Sequence, residues 1–451
     1  MAETGFDRLI NRYVDFCNDT CRIDPNLYEE YSVKRGLRDS NGRGVLTGLT
    51  EVSDVNGFKV VDGNRVPMPG KLYFRGYPVE ELVSGAGGTN HGFEEITFLL
   101  LFGDLPTKEE LSAFMEVLGE LRQLPESFNR DVIMKAPSRD MMNVLQKCVL
   151  TLYSYDEDPN NLDIKNVLMQ SLKLIAQLPV MAAYGYQAYR HYYLEKSLVI
   201  HRPKPELSTA ENLLRLLRTD GKYTELEAKV LDVCLIIHAE HGGGNNSTFT
   251  CRVLTSSGTD PYSAYSSAIC SLKGPRHGGA NIKVINMLDN FKANIKHWDN
   301  EGEVADYMRR TIRKETNDGS GLIYGMGHAV YTISDPRAVI LKKKAFELAK
   351  GREIEAEFKL LETIERLTPE IFLQEKGSTK TMCANVDMYS GLVYRMLGIP
   401  DELFTPLFAV ARMAGWAAHR MEELLTGNRL IRPAYKAIAK ERDYVKLEER
   451  E

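Results

Sequence analysis

The chain has 451 residues, of which 43% are hydrophobic and 26% charged, a globular composition that excludes disordered, collagen-like and coiled-coil proteins. Because a single hydrophobic core stops growing at about 250–300 residues, the length predicts at least two domains. The formal net charge of −5 argues against an overall attraction to nucleic acid or acidic lipid, so we expect neither as a partner.

The N-terminal segment, residues 1–45, is rich in charged and turn-forming residues and is predicted to be an extension. It has neither the apolar stretch of a secretory signal nor the character of a transit peptide. The chain contains no run of about 18 apolar residues, so we expect no membrane span. Seven cysteines without a CxxC pair are typical of free thiols in a reducing compartment. These features predict a cytoplasmic protein.

Residues 47–77 carry the strongest strand signals of the chain. An Asn-Gly pair at 56–57 and an Asp-Gly pair at 62–63 lie beside the β-prone strings FKVV and KLYF. Such pairs favour the tight turns of short hairpins. We therefore predict a small N-terminal β hairpin region.

The rest of the chain is predicted to be helical, because apolar residues recur at helical spacing between acidic starts and Gly or Pro ends. The predicted helices include 93–103, 141–155, 174–194, a helix ended by Gly242–Gly244, 262–272 and one that starts at Pro336. Pro179 predicts that 174–194 is two helices or one kinked helix. Since βαβ units are absent from the pattern, the fold class is predicted to be mainly α.

Four of the nine histidines lie in glycine-rich breaks between these helices. His238 and His241 are three residues apart, so they are predicted to share one helix face. Their spacing fits neither HExxH nor HxxEH, and we expect no metal site. A structural alternative for each is a histidine at a helix C-terminus, where imidazolium is favoured.

His277 lies in the string SLKGPRHGGAN, on a turn just before a predicted helix. A helix N-terminus, with Lys273 and Arg276 alongside, favours a neutral imidazole that can donate a hydrogen bond to a carbonyl. The alternative is a loop histidine without a role.

His328 lies in GMGHAVY, shortly before the turn Asp335-Pro336-Arg337. The preceding GxG is not a dinucleotide loop, because the next glycine of that motif is missing and no strand precedes it. Arg337 at a helix start opposes the helix dipole, which an anion-binding role explains. A surface salt bridge is the alternative.

Asp387 is an acid within an otherwise apolar stretch, ANVDMYSG. Partial burial raises a carboxyl pKa and makes a better base near neutrality; an N-cap of the following helix is the alternative. Arg412 lies within the apolar helix FAVARMAGWAAHRMEEL and needs an anionic partner. Arg432 follows, just before a proline.

In their order along the chain, these motifs resemble the citrate synthase family of the Si type. The order is His-x-x-His, GPxHGG, GxGHxVY with DPR, NVDxYSG, an arginine before GW, and RP, and the resemblance spans about residues 46–440. Cys383 and Ala384 depart from the pattern, since many members have Tyr-Pro before the asparagine.

The resemblance implies catalytic roles for three residues. His277 would hydrogen-bond the acetyl-CoA thioester oxygen, Asp387 would remove the methyl proton, and His328 would polarise and protonate the oxaloacetate carbonyl. The residues implied to bind oxaloacetate are His241, Arg337, Arg412 and the partner subunit's Arg432, with His238 adjacent. The residues implied by match or position to contact CoA are Lys380, Lys273 and Arg276.

The resemblance also implies an acyltransferase that condenses acetyl-CoA with oxaloacetate and hydrolyses citryl-CoA. It implies a homodimer with acetyl-CoA as co-substrate and no permanently bound cofactor. A large domain would comprise 46–278 and 399–451, and 279–398 would form a small moving domain. The alternatives are a 2-methylcitrate synthase that uses propionyl-CoA, a non-catalytic CoA-binding paralogue and a metallohydrolase.

Overall fold

A computed structural model describes the chain in seven stretches, namely 5–39, 44–62, 64–86, 90–275, 277–377, 382–427 and 429–450. The chain forms two compact units, Met1–Leu49 and Thr50–Glu451. The first unit contains helices α1 (Gly5–Thr20) and α2 (Asn26–Glu30). The extension predicted at 1–45 falls within this unit, whereas the predicted division of the second unit at 279–398 stays a prediction.

The second unit begins with a three-stranded antiparallel sheet of β1 (Ser53–Val61), β2 (Asn64–Phe74) and β3 (Tyr77–Pro78), in that order. Val61 pairs with Asn64, which confirms the hairpin between β1 and β2, although Gly63 itself lies outside the described residues. The predicted turn at 56–57 is wrong.

The Asn-Gly pair at 56–57 lies within β1, at a bulge between Asn56 and Phe58. A Cβ on Gly57 would be only 2.4 Å from the Val330 carbonyl oxygen. Glycine is therefore needed there for the close approach of another loop rather than for a turn.

The rest of the second unit is built mainly from α-helices, which confirms the mainly α class. In chain order they are α3 (Val79–Ala86), α4 (Gly92–Phe102), α5 (Lys108–Leu121), α6 (Met141–Leu152), α7 (Ile164–Leu194), α8 (Thr209–Leu217), α9 (Glu225–His238), α10 (Asn246–Ser256), α11 (Pro261–Lys273), α12 (Ala280–Asn294), α13 (Glu301–Ile312), α14 (Pro336–Ala349), α15 (Glu355–Lys376), α16 (Asp387–Met396) and α17 (Phe404–Thr426).

Helix α7 runs through Pro179 as one helix of 31 residues, so the two-helix alternative for 174–194 is wrong. It packs against α5, α6, α8 and α17. Its length and hydropathy would suffice to cross a membrane, but its most apolar window is 83% buried inside the protein. Tertiary packing on several sides therefore holds the helix together across a residue that lacks an amide donor.

Helix α4 ends at Gly103 in a left-handed conformation, as predicted. Helix α9 starts at a capping box formed by Thr224 and Glu227, but it ends at His238, before the glycine run. His241 consequently lies outside the helix, and the prediction that both histidines share one helix face is wrong.

Gly415 lets α17 approach the end of α9 closely, because an added Cβ would be 2.4 Å from the Ala239 carbonyl oxygen. We expect Gly415→Ala to destabilise the protein by about 1–3 kcal/mol through overpacking. Urea unfolding can measure this against Gly85→Ala in α3, whose added Cβ has no atom within 4 Å. Equal stability of the two variants would contradict the packing argument.

Candidate active site

Separate elements of the second unit bring predicted site residues together. The end of α9 and the loop after it carry His238 and His241, and Arg412 lies in the middle of α17. The His241 ring is 5.2 Å from the His328 ring, and the Arg412 Nε donates to the His238 carbonyl over 2.8 Å. His277 precedes α12, and the positive charge of Arg412 contributes to lowering the pKa of His277.

Paired backbone segments join the loop of His328 to the start of α16. The Gly327 amide donates to the Cys383 carbonyl and the Asn385 amide donates to the Gly325 carbonyl, each over 2.8 Å. The Asn385 side chain donates to the Gly327 carbonyl over 2.9 Å and accepts the Asp387 amide over 3.0 Å. Asn385 thus links His328 and Asp387, the two catalytic candidates of these segments. It was not among the predicted site residues, and its place two residues before Asp387 was the available signal.

The hydrogen bonds of His277 define its tautomer. Its Nε2 accepts from the Ser247 amide at 3.4 Å and lies 3.1 Å from the Ser247 hydroxyl. The Nδ1 of the neutral ring therefore carries the proton. Burial, reinforced by the charge of Arg412, lowers the pKa of His277 to about 4. The predicted neutral imidazole is confirmed, and burial and the charge of Arg412 are causes of it.

His328 has the opposite tautomer. Its Nδ1 accepts from the amides of Val330 and Tyr331 over 3.0 and 3.1 Å, so Nε2 carries the proton. The ring stacks on Tyr331 at 4.5 Å, and burial together with Arg337 lowers the pKa of His328 to about 4. The Nε2 lies 3.4 Å from the Arg337 Nη2. Because both atoms are donors, this corner of the site suits an acceptor oxygen of a ligand.

Arg337 is buried and forms a paired contact with Asp335, at 3.0 Å from Nε and 2.7 Å from Nη2. The surface salt bridge considered for Arg337 is therefore wrong. Burial lowers the pKa of Arg337, but the Asp335 carboxylate opposes this effect, and the pKa is raised overall. Asp335 also accepts the Arg337 amide and caps α14, which orients the guanidinium toward His328.

Arg412 is fully buried, and neither of its Nη atoms has a hydrogen-bond partner among the residues described. Its guanidinium lies 4.8 Å from the centre of the Phe408 ring. Burial lowers the pKa of Arg412 to about 10, against the opposing charge of Glu240. Two unpaired donors on one guanidinium match the geometry of a carboxylate.

Asp387 is the first residue of α16, and the N-cap is Val386, so the N-cap role considered for Asp387 is wrong. Burial raises the pKa of Asp387 to about 7, partly opposed by Arg337 and augmented by Asp335. The predicted carboxyl group of raised pKa is thereby confirmed. Such a group is suited to act as a base near neutral pH.

His238 and His241 are both buried neutral histidines. The His238 Nδ1 donates to the Cys234 carbonyl over 2.7 Å, and burial lowers the pKa of His238 to about 3. Burial, reinforced by Arg337, lowers the pKa of His241 well below its usual range. The imidazolium considered for these helix-end histidines is therefore wrong. In the described structure the Nε2 of each has no protein partner.

Two of the predicted ligand residues, Arg432 and Lys273, make no contact with the described residues of this site. Arg432 is exposed in the segment after α17 and makes no hydrogen bond or ion pair with any described residue of the chain. Lys273 pairs with Asp140 over 2.8 Å. Arg276 and Lys380 lie outside the described residues. Across the described ranges, no group of three or more His, Cys, Asp or Glu is placed to hold a metal ion.

The model of the family "Citrate synthase, C-terminal domain" matches residues 37–434. The chain belongs to the citrate synthase family. A citrate synthase from Synechocystis sp. is 35% identical over 391 residues, which are 86% of this chain and 88% of that protein. The 2-methylcitrate synthase 1 of Corynebacterium glutamicum is 32% identical over 426 residues, which are 93% of this chain and 98% of that protein.

A solved citrate synthase has the same fold. The enzyme from Thermoplasma acidophilum, in ternary complex with carboxymethyl coenzyme A and oxaloacetate, aligns with a TM-score of 0.75 and 28% identity. The alignment covers 92% of this chain and 99% of that one. The predicted citrate-synthase-like fold is thereby confirmed. As a citrate synthase family protein, the chain is an acyltransferase of a family that uses acyl-CoA and oxaloacetate.

Proposed function

We propose that this protein is a citrate synthase, which condenses acetyl-CoA with oxaloacetate and hydrolyses citryl-CoA to citrate and CoA. One observation carries the proposal. Asp387, whose pKa burial raises to about 7, shares a site with two neutral histidines and two buried arginines. This set supplies a base, two hydrogen-bond donors and two anion ligands.

The first step is removal of a methyl proton from acetyl-CoA by the Asp387 carboxylate. A carboxylate is too weak a base for this unless the resulting enol or enolate oxygen is stabilised. The Nδ1–H of His277 supplies that stabilisation, because its Nε2 is occupied by the Ser247 amide. A neutral donor in a buried site is well suited to a developing negative charge.

The enol carbon then attacks the keto carbon of oxaloacetate. The Nε2–H of His328 donates to the keto oxygen, and its proton passes to the alkoxide oxygen as the carbon–carbon bond forms. The ring is left as an imidazolate, which the amides that donate to Nδ1 and the neighbouring Arg337 stabilise until it is reprotonated. Arg337 and Arg412 bind the carboxylates with His241 and the partner subunit's Arg432, while His238 supports Arg412 through its carbonyl. Fixing the electrophile in this way reduces the entropic part of the barrier.

Hydrolysis of citryl-CoA requires water to enter only after condensation, which suits a cleft that closes. We propose that 279–398 moves as a small domain against 46–278 and 399–451. The proposed CoA phosphate contacts are Lys380, Lys273 and Arg276. We further propose a homodimer in the cytoplasm; the seven free cysteines support a reducing location.

Acyl-CoA preference tests the proposal against 2-methylcitrate synthase, which the Corynebacterium relative makes a specific second candidate. One methylene in the acyl pocket changes kcat/KM by about 10–200-fold. We expect acetyl-CoA to exceed propionyl-CoA by at least about tenfold, measured by CoA release with oxaloacetate and by product chromatography. A preference for propionyl-CoA would establish the second candidate, and release of CoA without oxaloacetate would exclude both.

A further inference from the structure

A chain of buried polar groups lies behind Arg412. The Glu240 carboxylate is fully buried between the end of α9 and α17. Its Oε1 accepts from the Ser53 hydroxyl over 2.9 Å, the Gly242 amide over 2.5 Å and the His419 Nε2 over 2.9 Å. Its Oε2 has no partner in the part of the chain that is described.

The neighbours of His419 determine which of its nitrogens donates. The Arg252 Nε and Nη2 both point at the His419 Nδ1, over 3.2 and 2.7 Å. A guanidinium can only donate, so Nδ1 is the acceptor and Nε2 carries the proton. Ion pairs with Glu422 and Glu423 hold Arg252 in place. His419 is therefore a fixed donor to Glu240.

Glu240 lies close to Arg412 without bonding to it. A Cβ on Gly415 would be 2.2 Å from the Glu240 Oε2, and Gly415 is three residues after Arg412 on the same face of α17. Burial raises the pKa of Glu240, but His419 and Arg412 outweigh burial and lower this pKa to about 2. The carboxylate is therefore ionised. The Arg412 Nε instead donates to the His238 carbonyl. The ionised Glu240 carboxylate thus lies near Arg412. The three donors to its Oε1, from Ser53, Gly242 and His419, hold it in an orientation that makes no hydrogen bond with the guanidinium.

We propose that Glu240, held by His419, is a positioning residue that balances the charge of Arg412 while leaving both Nη atoms free for a carboxylate of oxaloacetate. This inference rests on the proposed function. A carboxylate free to rotate would form a paired contact with Arg412 and compete with the substrate. A site without this carboxylate would leave a buried cation uncompensated in the free enzyme.

Removing the donor should weaken oxaloacetate binding. In His419→Leu, Glu240 can turn onto Arg412, and we expect the KM for oxaloacetate to rise about tenfold or more. The KM for acetyl-CoA and kcat at saturating oxaloacetate should change little. His419→Gln, whose amide nitrogen reaches the place of Nε2, should restore most of the affinity. The double variant Glu240→Gln/His419→Leu should also regain affinity, because no carboxylate remains to compete.

Suppression by Glu240→Gln separates positioning from a merely structural role of His419. If His419 only supports packing, the second substitution leaves the high KM in place or raises it further, and this result overturns the proposal. A folded His419→Leu variant with unchanged KM for oxaloacetate overturns it equally.

Glu240→Gln alone provides a test if His419→Leu does not fold. It keeps an acceptor for the three donors and removes the charge. Without ligand, the melting temperature of this variant should be lower than that of the wild type. Saturating oxaloacetate should raise the melting temperature of the variant by more than it raises that of the wild type. An equal ligand-induced shift overturns the inference. Calorimetry distinguishes failure of this inference from failure of the proposed function. If the proposed function were wrong, the wild type itself would bind no oxaloacetate.

Discussion

Asp387→Asn is expected to lower kcat by about 10²–10⁴-fold or more, because it removes the proposed base and retains its shape. The side chain lies at the first position of α16, where Asn385 accepts its backbone amide. That contact does not involve the carboxylate, so the variant should keep the local backbone. Single-turnover release of CoA from acetyl-CoA and oxaloacetate measures the loss. Activity within about tenfold of the wild type would exclude Asp387 as the base.

The same carboxyl group should set the acidic limb of the pH profile. Burial raises the pKa of Asp387 to about 7, so the ionised base is lost as pH falls below that value. We expect kcat/KM for acetyl-CoA to fall about tenfold per pH unit on that side and to level off above it. The histidines should not add a limb near neutrality, because the pKa values of His277 and His328 are lowered to about 4.

A stability measurement provides the control for the Asp387 variant. A carboxyl whose pKa is higher in the folded state than in the unfolded state costs stability when it ionises. This cost begins near the ordinary carboxyl pKa and is complete above about pH 7. Asp387→Asn should therefore gain stability relative to the wild type as pH rises from 4 to 8. A folded, more stable and inactive variant would separate a chemical role from a structural one.

The parts of the fold that could be predicted from the sequence were those with local signals. Gly103 ends α4 because a left-handed residue terminates a helix wherever it occurs. The end of α9 was misplaced because the chain leaves the helix before the glycines from which its end was predicted. The loop that follows is held by a contact distant in sequence, since Glu240 accepts from both the Gly242 amide and His419 of α17. The turn predicted at Gly57 was wrong for a similar reason. The close approach of a distant loop at Val330, rather than a local turn, requires glycine at that position.

The site could be predicted as a set of residues but not as an arrangement. Polar groups among glycines or in apolar helices marked His277, Asp387 and Arg412, because such placements are costly without a ligand or partner. Ser247 carries no such mark, yet its amide decides which nitrogen of His277 is free. Tautomers and counter-charges arise from contacts between residues far apart in the chain, and local spacing does not encode them.

His277→Ala is expected to lower kcat by about 10²–10⁴-fold, since the proposed enol oxygen loses its donor. The geometry allows a sharper test, because only Nδ1 is available to the substrate. An asparagine amide nitrogen can occupy the place of Nδ1, whereas a glutamine amide nitrogen reaches the place of Nε2. We therefore expect His277→Asn to recover part of the activity that His277→Ala loses.

His277→Gln should remain as inactive as His277→Ala, because its amide nitrogen would face the Ser247 amide, which is itself a donor. Comparing kcat for the three variants at saturating oxaloacetate isolates the direction of the hydrogen bond from the size of the side chain. If His277→Gln were more active than His277→Asn, Nε2 would be the donor and the tautomer inferred from Ser247 would be wrong. The order of the two amide variants therefore tests how the backbone at the start of α10 fixes the tautomer of His277, the proposed donor.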